Sequence, residues 1–203
     1  MSTEVHVAHN DTFGAKLGMW LFLVTEINLF GGLFIAYSYM RHKYPAEFHH
    51  AGAELNAVLG VTNTVVLLTS SLTVVLAILA IQEGRKALSQ GLVGATAGLG
   101  LVFLVIKTFE WSAKFHHGLY PGGAHLAAQS HGEQVFFGLY FTMTGLHGVH
   151  VLVGTTILAV LVRMIAKGSI TPQRNITLEN VGLYWHLVDI IWIFLLPLFY
   201  LAA

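Results

Sequence analysis

Residues 179–201 read ENVGLYWHLVDIIWIFLLPLFYL, and this stretch decides the fold. It is apolar enough to cross a bilayer, yet it carries His186 and Asp189 inside the crossing. A charged group at the centre of a membrane helix costs about 3 kcal/mol even on the lenient insertion scale. The helix is therefore expected to turn these groups toward protein. Trp185, Asp189 and Trp192 recur at i, i+4 and i+7 and share one face. His186 lies three residues before Asp189, within reach of an imidazole–carboxylate contact. Such groups either lock the helix to its neighbours or take a direct part in function, and ionisable groups in a membrane default to a functional reading.

The composition agrees. The 203 residues are 55% hydrophobic and 10% charged, against about 25% charged for a soluble domain. Ten Lys/Arg balance ten Asp/Glu, so no basic surface points to a nucleic-acid partner. Cysteine is absent, which excludes disulfides, thiolate metal sites and a CxxCH haem attachment while leaving the redox compartment open. The chain reads as an all-α integral membrane protein forming one membrane domain. Its polar start, residues 1–13, lacks a basic lead. The apolar run that follows is too long for a secretory signal and reads as a retained span.

Five spans are expected, at about 17–40, 55–81, 91–111, 135–162 and 180–201. In the first, Glu26 follows Lys16 by ten residues, about 15 Å along a helix and near the middle of a roughly 30 Å hydrocarbon core. Gly14 and Gly18, with Gly31-Gly32 further on, offer small surfaces for a close neighbour. Pro45, His49 and His50 fall in the connecting loop, where histidines are expected to be solvated. The second span has no charge; Asn63 and the hydroxyls of Thr62, Thr64, Thr69, Ser70, Ser71 and Thr73 serve as helix glue. The third opens glycine-rich, with Gly94 and Gly98 suited to tight packing, and ends in Lys107, Glu110 and Trp111. Lys107 and Glu110 are expected to pair at the interface, where Lys snorkels and Trp settles. The long connection at 112–134 holds His116, His117, His125 and His131, but their spacing matches no zinc pattern and no metal is expected.

The fourth span is a second focus. It carries His147 and His150 on one face near mid-depth, with Gly145, Gly148 and Gly154 suggesting protein around it. Pro197 is expected to kink the end of the fifth. With five spans the termini face opposite sides. The N-terminal side holds six basic residues (Lys16, Arg85, Lys86, Arg163, Lys167, Arg174) and the other four (Arg41, Lys43, Lys107, Lys114), which puts the N-terminus in the cytoplasm and the C-terminus outside. Polar groups thus recur at similar depth on three helices: Glu26, the His147–His150 pair, and His186 with Asp189. Spacing alone allows an accessory subunit handling protons or lipid, a small transporter, or a membrane metalloenzyme. The transporter reading lacks duplicated halves and paired broken helices. The metalloenzyme reading lacks a second His-x-x-His or Glu-x-x-His.

Five motifs in order resemble subunit III of the haem–copper oxidases, as in cytochrome c oxidase, in its short five-helix bacterial form. They are K-x-G-M-W-L-F-L-x-x-E at 16–26 followed by L-F-G-G-L-F, N-T-x-x-L-L-x-S-S-x-T at 63–73, K-x-x-E-W at 107–111, G-L-H-G-x-H at 145–150, and E-N-x-G-L-Y-W-H-x-V-D-x-x-W-I-F at 179–194. The similarity runs from Lys16 to Leu201. It implies a bacterial plasma-membrane respiratory complex that reduces dioxygen to water and pumps protons, with haem and copper on subunits I and II. This chain would carry no catalytic residue and no redox metal. It would pack on subunit I, bind phospholipid, and support proton uptake and the durability of the catalytic centre. Cytochrome c is the implied electron donor, with a quinol oxidase as the alternative. Glu26 matches the family's buried glutamate and is the first choice for a functional carboxyl. His147, His150, His186 and Asp189 match positions for which structural hydrogen bonding is the favoured role.

Overall fold

The computed structural model describes residues 3–201. In chain order the elements are α1 (Thr3–Lys43), α2 (Pro45–Ala53), α3 (Ala57–Gln82), α4 (Lys86–His116), α5 (Ala124–Ala127), α6 (His131–Ala166), α7 (Ile176–Leu196) and a π-helical turn, Pro197–Leu201. Helices α1, α3, α4, α6 and α7 with its terminal turn are each long and apolar enough to cross a membrane.

Local chemistry sets the helix ends. Helix α3 begins at Ala57, two residues later than expected, because the Asn56 side chain accepts from Val58 N and Leu59 N at 3.0 and 3.3 Å. Helix α6 begins at His131, ahead of the expected span, on a capping box. The Glu133 amide donates to Ser130 Oγ at 3.3 Å, and the Ser130 amide donates to Glu133 Oε2 at 3.0 Å. Each cap is worth about 1 kcal/mol. Gly84 and Gly168 close α3 and α6 at φ 78° and 77°, a left-handed turn that only glycine enters without a steric cost.

Helices α3, α4, α6 and α7 form a ring of four, and α1 lies outside it against α7 and α6. At the core are the ring faces of α7, α4 and α6: Trp185, Trp192, Phe103, Phe136 and Tyr140 are all fully buried. Two glycines make this possible. A Cβ at Gly154 would stand 2.9 Å from the Trp185 ring, and one at Gly100 would stand 2.7 Å from it. The expected small surfaces elsewhere have no such role. Nothing lies within 4 Å of a Cβ at Gly14, Gly18, Gly31, Gly32, Gly98 or Gly148, and Gly94 meets only Val162 at 4.0 Å.

The segment holding Pro45, His49 and His50 is a helix rather than a loop. Proline occupies its first turn, where no amide donor is needed. Phe48, Ala51 and Gly52 are buried beneath it. His50 is correspondingly paired, its Nδ1 lying 2.7 Å from Glu133 Oε1.

Candidate functional site

Glu26 and His150 meet between α1 and α6, with Glu26 Oε2 2.8 Å from His150 Nε2. The other imidazole nitrogen, Nδ1, lies 2.8 Å from the Leu146 carbonyl oxygen. A carbonyl only accepts, so Nδ1 carries a hydrogen. The contact at Nε2 then holds one proton, either on the ring as an imidazolium facing a carboxylate or on Glu26 as an acid facing a neutral ring. In both forms the pair has no net charge, which is what a low-dielectric site tolerates. Tyr184 on α7 braces it by donating to the His150 carbonyl at 3.0 Å, and the Phe30 ring meets the imidazole edge-on at 5.4 Å. The two side chains keep 13% and 15% exposure, so the pair lies at the rim of the bundle rather than in its centre.

His147, three residues from His150, goes elsewhere. It is fully buried, stacked on Trp192 at 5.2 Å and edge-on to Phe103 at 5.4 Å. Neither of its ring nitrogens has a hydrogen-bond partner. The expected contact between His186 and Asp189 is not made. Ser71 of α3 lies beside both, but its hydroxyl is taken by His186 Nδ1 at 2.6 Å, leaving both Asp189 carboxyl oxygens without a well-formed hydrogen bond. The reason is helical phase: Asp189 shares the inward face of Trp185 and Trp192, while His186 sits toward the rim. Those two indoles bracket it by donating to α3, Trp185 to Ser70 Oγ at 2.9 Å and Trp192 to Thr64 Oγ1 at 3.0 Å.

Lys107 and Glu110 do pair, at 3.0 Å, but the pair faces inward and is buried instead of snorkelling to an interface. Two tyrosines from distant segments turn it inward. Lys107 Nζ donates to Glu110 Oε2 and to the Tyr140 and Tyr200 hydroxyls at 3.2 and 2.9 Å. Glu110 Oε1 in turn accepts from Tyr140 and Tyr200 at 2.8 and 2.5 Å. All three ammonium protons and both carboxylate oxygens are thereby used, and the ammonium also lies over the Trp192 ring at 5.2 Å. Trp111 is half-buried and fills the space at Gly145, 3.0 Å from a Cβ there.

Reading the sequence alone passed over Tyr140, Tyr200, Tyr184 and the His50–Glu133 contact, while Ser71, expected as helix glue, does bond across to α7. Tyrosine in a membrane helix reads as an interfacial anchor, and nothing local distinguishes an inward phenol from an outward one. Glu133 could have been found, since Ser130-x-x-Glu133 ahead of an apolar run is the capping-box pattern. Among the described residues no group of three His, Cys, Asp or Glu could hold a metal ion. An apolar groove of about 570 Å³ runs between α4 and α6 from Leu104 and Leu152 to Phe115 and His116. Two smaller ones, about 380 and 180 Å³, separate α1 from its neighbours on either side of the Glu26–His150 pair.

The family model described as cytochrome c oxidase subunit III matches residues 2–203. Cytochrome c oxidase subunit 3 of Synechocystis is 34% identical over 98% of this chain and 80% of its own length. Cytochrome bo(3) ubiquinol oxidase subunit 3 of Pseudomonas aeruginosa is 32% identical over 97% of this chain and 88% of its own. A heme-copper oxidase subunit I+III of Aeropyrum pernix is 29% identical over 92% of this chain, which corresponds to 22% of that longer protein. With five helices long and apolar enough to cross a membrane and a match along nearly its whole length, the chain belongs to the cytochrome c oxidase subunit III family.

Proposed function

We propose that this chain is the accessory subunit III of a cytochrome c oxidase in a bacterial plasma membrane, forming one membrane domain beside subunits I and II and carrying no haem or copper. The observation that carries the reading is the Glu26–His150 pair: one proton held at the bundle rim, in a family whose complexes reduce dioxygen. A neutral pair of this kind stores a proton without leaving a charge in hydrocarbon. That suits a subunit which supports proton uptake by its neighbour. The subunit I+III relative supports subunit I as that neighbour, since there the two are joined in one chain. The quinol oxidase of Pseudomonas aeruginosa supports a quinol donor as the second reading.

Charge supports a cytoplasmic N-terminus. Burial of Lys107 and Lys114 leaves Arg41 and Lys43 as the bases open on the C-terminal side, against six on the N-terminal side. The bias toward a cytoplasmic N-terminus is therefore larger than the raw count. The α4–α6 groove supports bound phospholipid. From Leu104 to His116 it covers about 18 Å at 1.5 Å per residue, close to one leaflet of a roughly 30 Å core. Its polar end bears Ser112 and His116, and no acidic residue lines it.

The reading is tested by gentle detergent purification through a tag on this chain. Haem absorbance together with a many-span partner and a dicopper-binding subunit is the expected result. A haem protein without the dicopper subunit moves the donor to quinol, and a colourless, stable single chain overturns the proposal.

A further inference from the structure

Pro197 has no amide hydrogen, so the α-helical ladder of α7 cannot continue through it. The backbone instead widens into the π-helical turn Pro197–Leu201, in which the adjacent Phe199 and Tyr200 are both buried. These few residues touch every other membrane-spanning helix. Tyr37 of α1 donates its hydroxyl to the Leu198 carbonyl. The Phe199 ring meets Tyr37, Tyr140 and Phe136 edge-on at 5.0, 5.5 and 5.6 Å, and Phe48 of α2 closes the same cluster against Tyr37 at 5.4 Å. Tyr200 completes the Lys107–Glu110 network on α4, and its ring fills the space beside Gly60 of α3, 3.0 Å from a Cβ there.

Along the rest of its length α1 is held lightly. Apart from the Glu26–His150 contact with α6, the polar ties of α1 among the described side chains include an ion pair between Lys16 and Glu179 of α7, with exposures of 54% and 27%, and a bond from Asn180 to the Ala15 carbonyl at 3.2 Å. One apolar groove lies between these ties, and the other lies between the Glu26–His150 pair and the Pro197–Leu201 turn. Helix α2 has its own ties to the ring, His50 to Glu133 of α6 at 2.7 Å and the Glu54 carbonyl to Lys114 of α4 at 2.6 Å. We therefore propose that Pro197–Leu201 is a strap whose closure on Lys107 and Glu110 docks α1 onto the four-helix ring and seals the inner face of α2, and whose opening releases α1 and uncovers that face while the ring stays folded. Local opening of this sort is expected where one well-bonded segment secures an otherwise loosely packed element.

The natural chain has no cysteine, so a single introduced thiol reports cleanly. Ala51→Cys places it in α2 under the strap, and Ala77→Cys places it in the ring between α3 and its neighbours; both alanines are buried. Each is combined with Tyr200→Phe, or with a stop after Leu196, and treated in native membranes with a membrane-permeant maleimide. Loss of charge-assisted hydrogen bonds to Glu110 and Lys107 should speed labelling at position 51 by about tenfold or more, with position 77 still protected. Unchanged protection at position 51 in Tyr200→Phe overturns the proposal. So does equal exposure at both positions, which would mean that the whole bundle loosens. Tyr200→Phe keeps the ring and decides the matter if the shortened chain does not accumulate.

Discussion

The buried Lys107–Glu110 pair gives the sharpest quantitative test. Both residues are nearly closed to solvent, at 7% and 3% exposure, and their four-way network with Tyr140 and Tyr200 uses all three ammonium protons and engages both carboxylate oxygens. Removing one partner from such a pair strands a charge in low dielectric, a loss of about 3–5 kcal/mol. Here the phenols soften it: after Glu110→Leu, Lys107 keeps two hydroxyl acceptors, and after Lys107→Met, Glu110 keeps two hydroxyl donors. The lower end, about 3 kcal/mol for each single change, is therefore expected. Replacing both, as Lys107→Met with Glu110→Leu, removes both charges and fills similar volume. Tyr140 and Tyr200, 3.4 Å apart, can then bond to each other. The double variant should fall within about 1 kcal/mol of the parent, giving a coupling energy of several kcal/mol. The assay is unfolding in mixed micelles titrated with an ionic detergent, followed by tryptophan fluorescence and helicity together. If each single change costs under about 1 kcal/mol and the two simply add, the pair is solvated as an interfacial pair would be, and the buried network is wrong.

Three further outcomes are expected. A hydrophobic carbodiimide, which reacts with protonated carboxyls in apolar surroundings, should modify Glu26 selectively, and unaltered labelling after Glu26→Gln would refute that. Gly100→Ala and Gly154→Ala should each cost about 1–3 kcal/mol by overpacking against Trp185, whereas Gly31→Ala should be silent in the isolated chain because its Cβ meets nothing; equal costs at all three would contradict the packing. Asp189→Leu should leave stability unchanged or raise it, since a buried carboxyl without a well-formed hydrogen bond contributes little that is favourable, and a loss above about 1 kcal/mol would show that its contact with Ser71, or with a group outside this chain, holds it.

What was legible in the sequence was the set of long helices. Span length and hydropathy gave five runs, and the structure has five helices long and apolar enough to cross a membrane. What was not legible was azimuth, the direction in which each group points around its helix once several helices are assembled. Helix α2 escaped notice because nine residues containing proline and two histidines carry no long apolar period, although Phe48, Ala51 and Gly52 are buried. The Lys107–Glu110 motif was read outward because the partners that turn it inward stand 33 and 93 residues from Lys107 along the chain.

The histidines of α6 show why this boundary is physical. His147 and His150 share a broad face by spacing, and both lie near mid-depth, so either could have been the partner of Glu26. The three-residue step is about 300° of rotation at 3.6 residues per turn, leaving about 60° between them. Around α6 that angle separates the α1 contact from the α7 ring stack. His150 therefore reaches a carboxyl on the outlying helix, and His147 is sealed between Phe103 and Trp192. Periodicity cannot choose between two positions 60° apart; only where α1 lies against the ring can. The element holding the proposed proton site is thus the one least secured by the core, and its position rests on ties that sequence spacing does not reveal: Tyr184 beneath His150, Tyr37 on the Leu198 carbonyl, and Lys16 on Glu179.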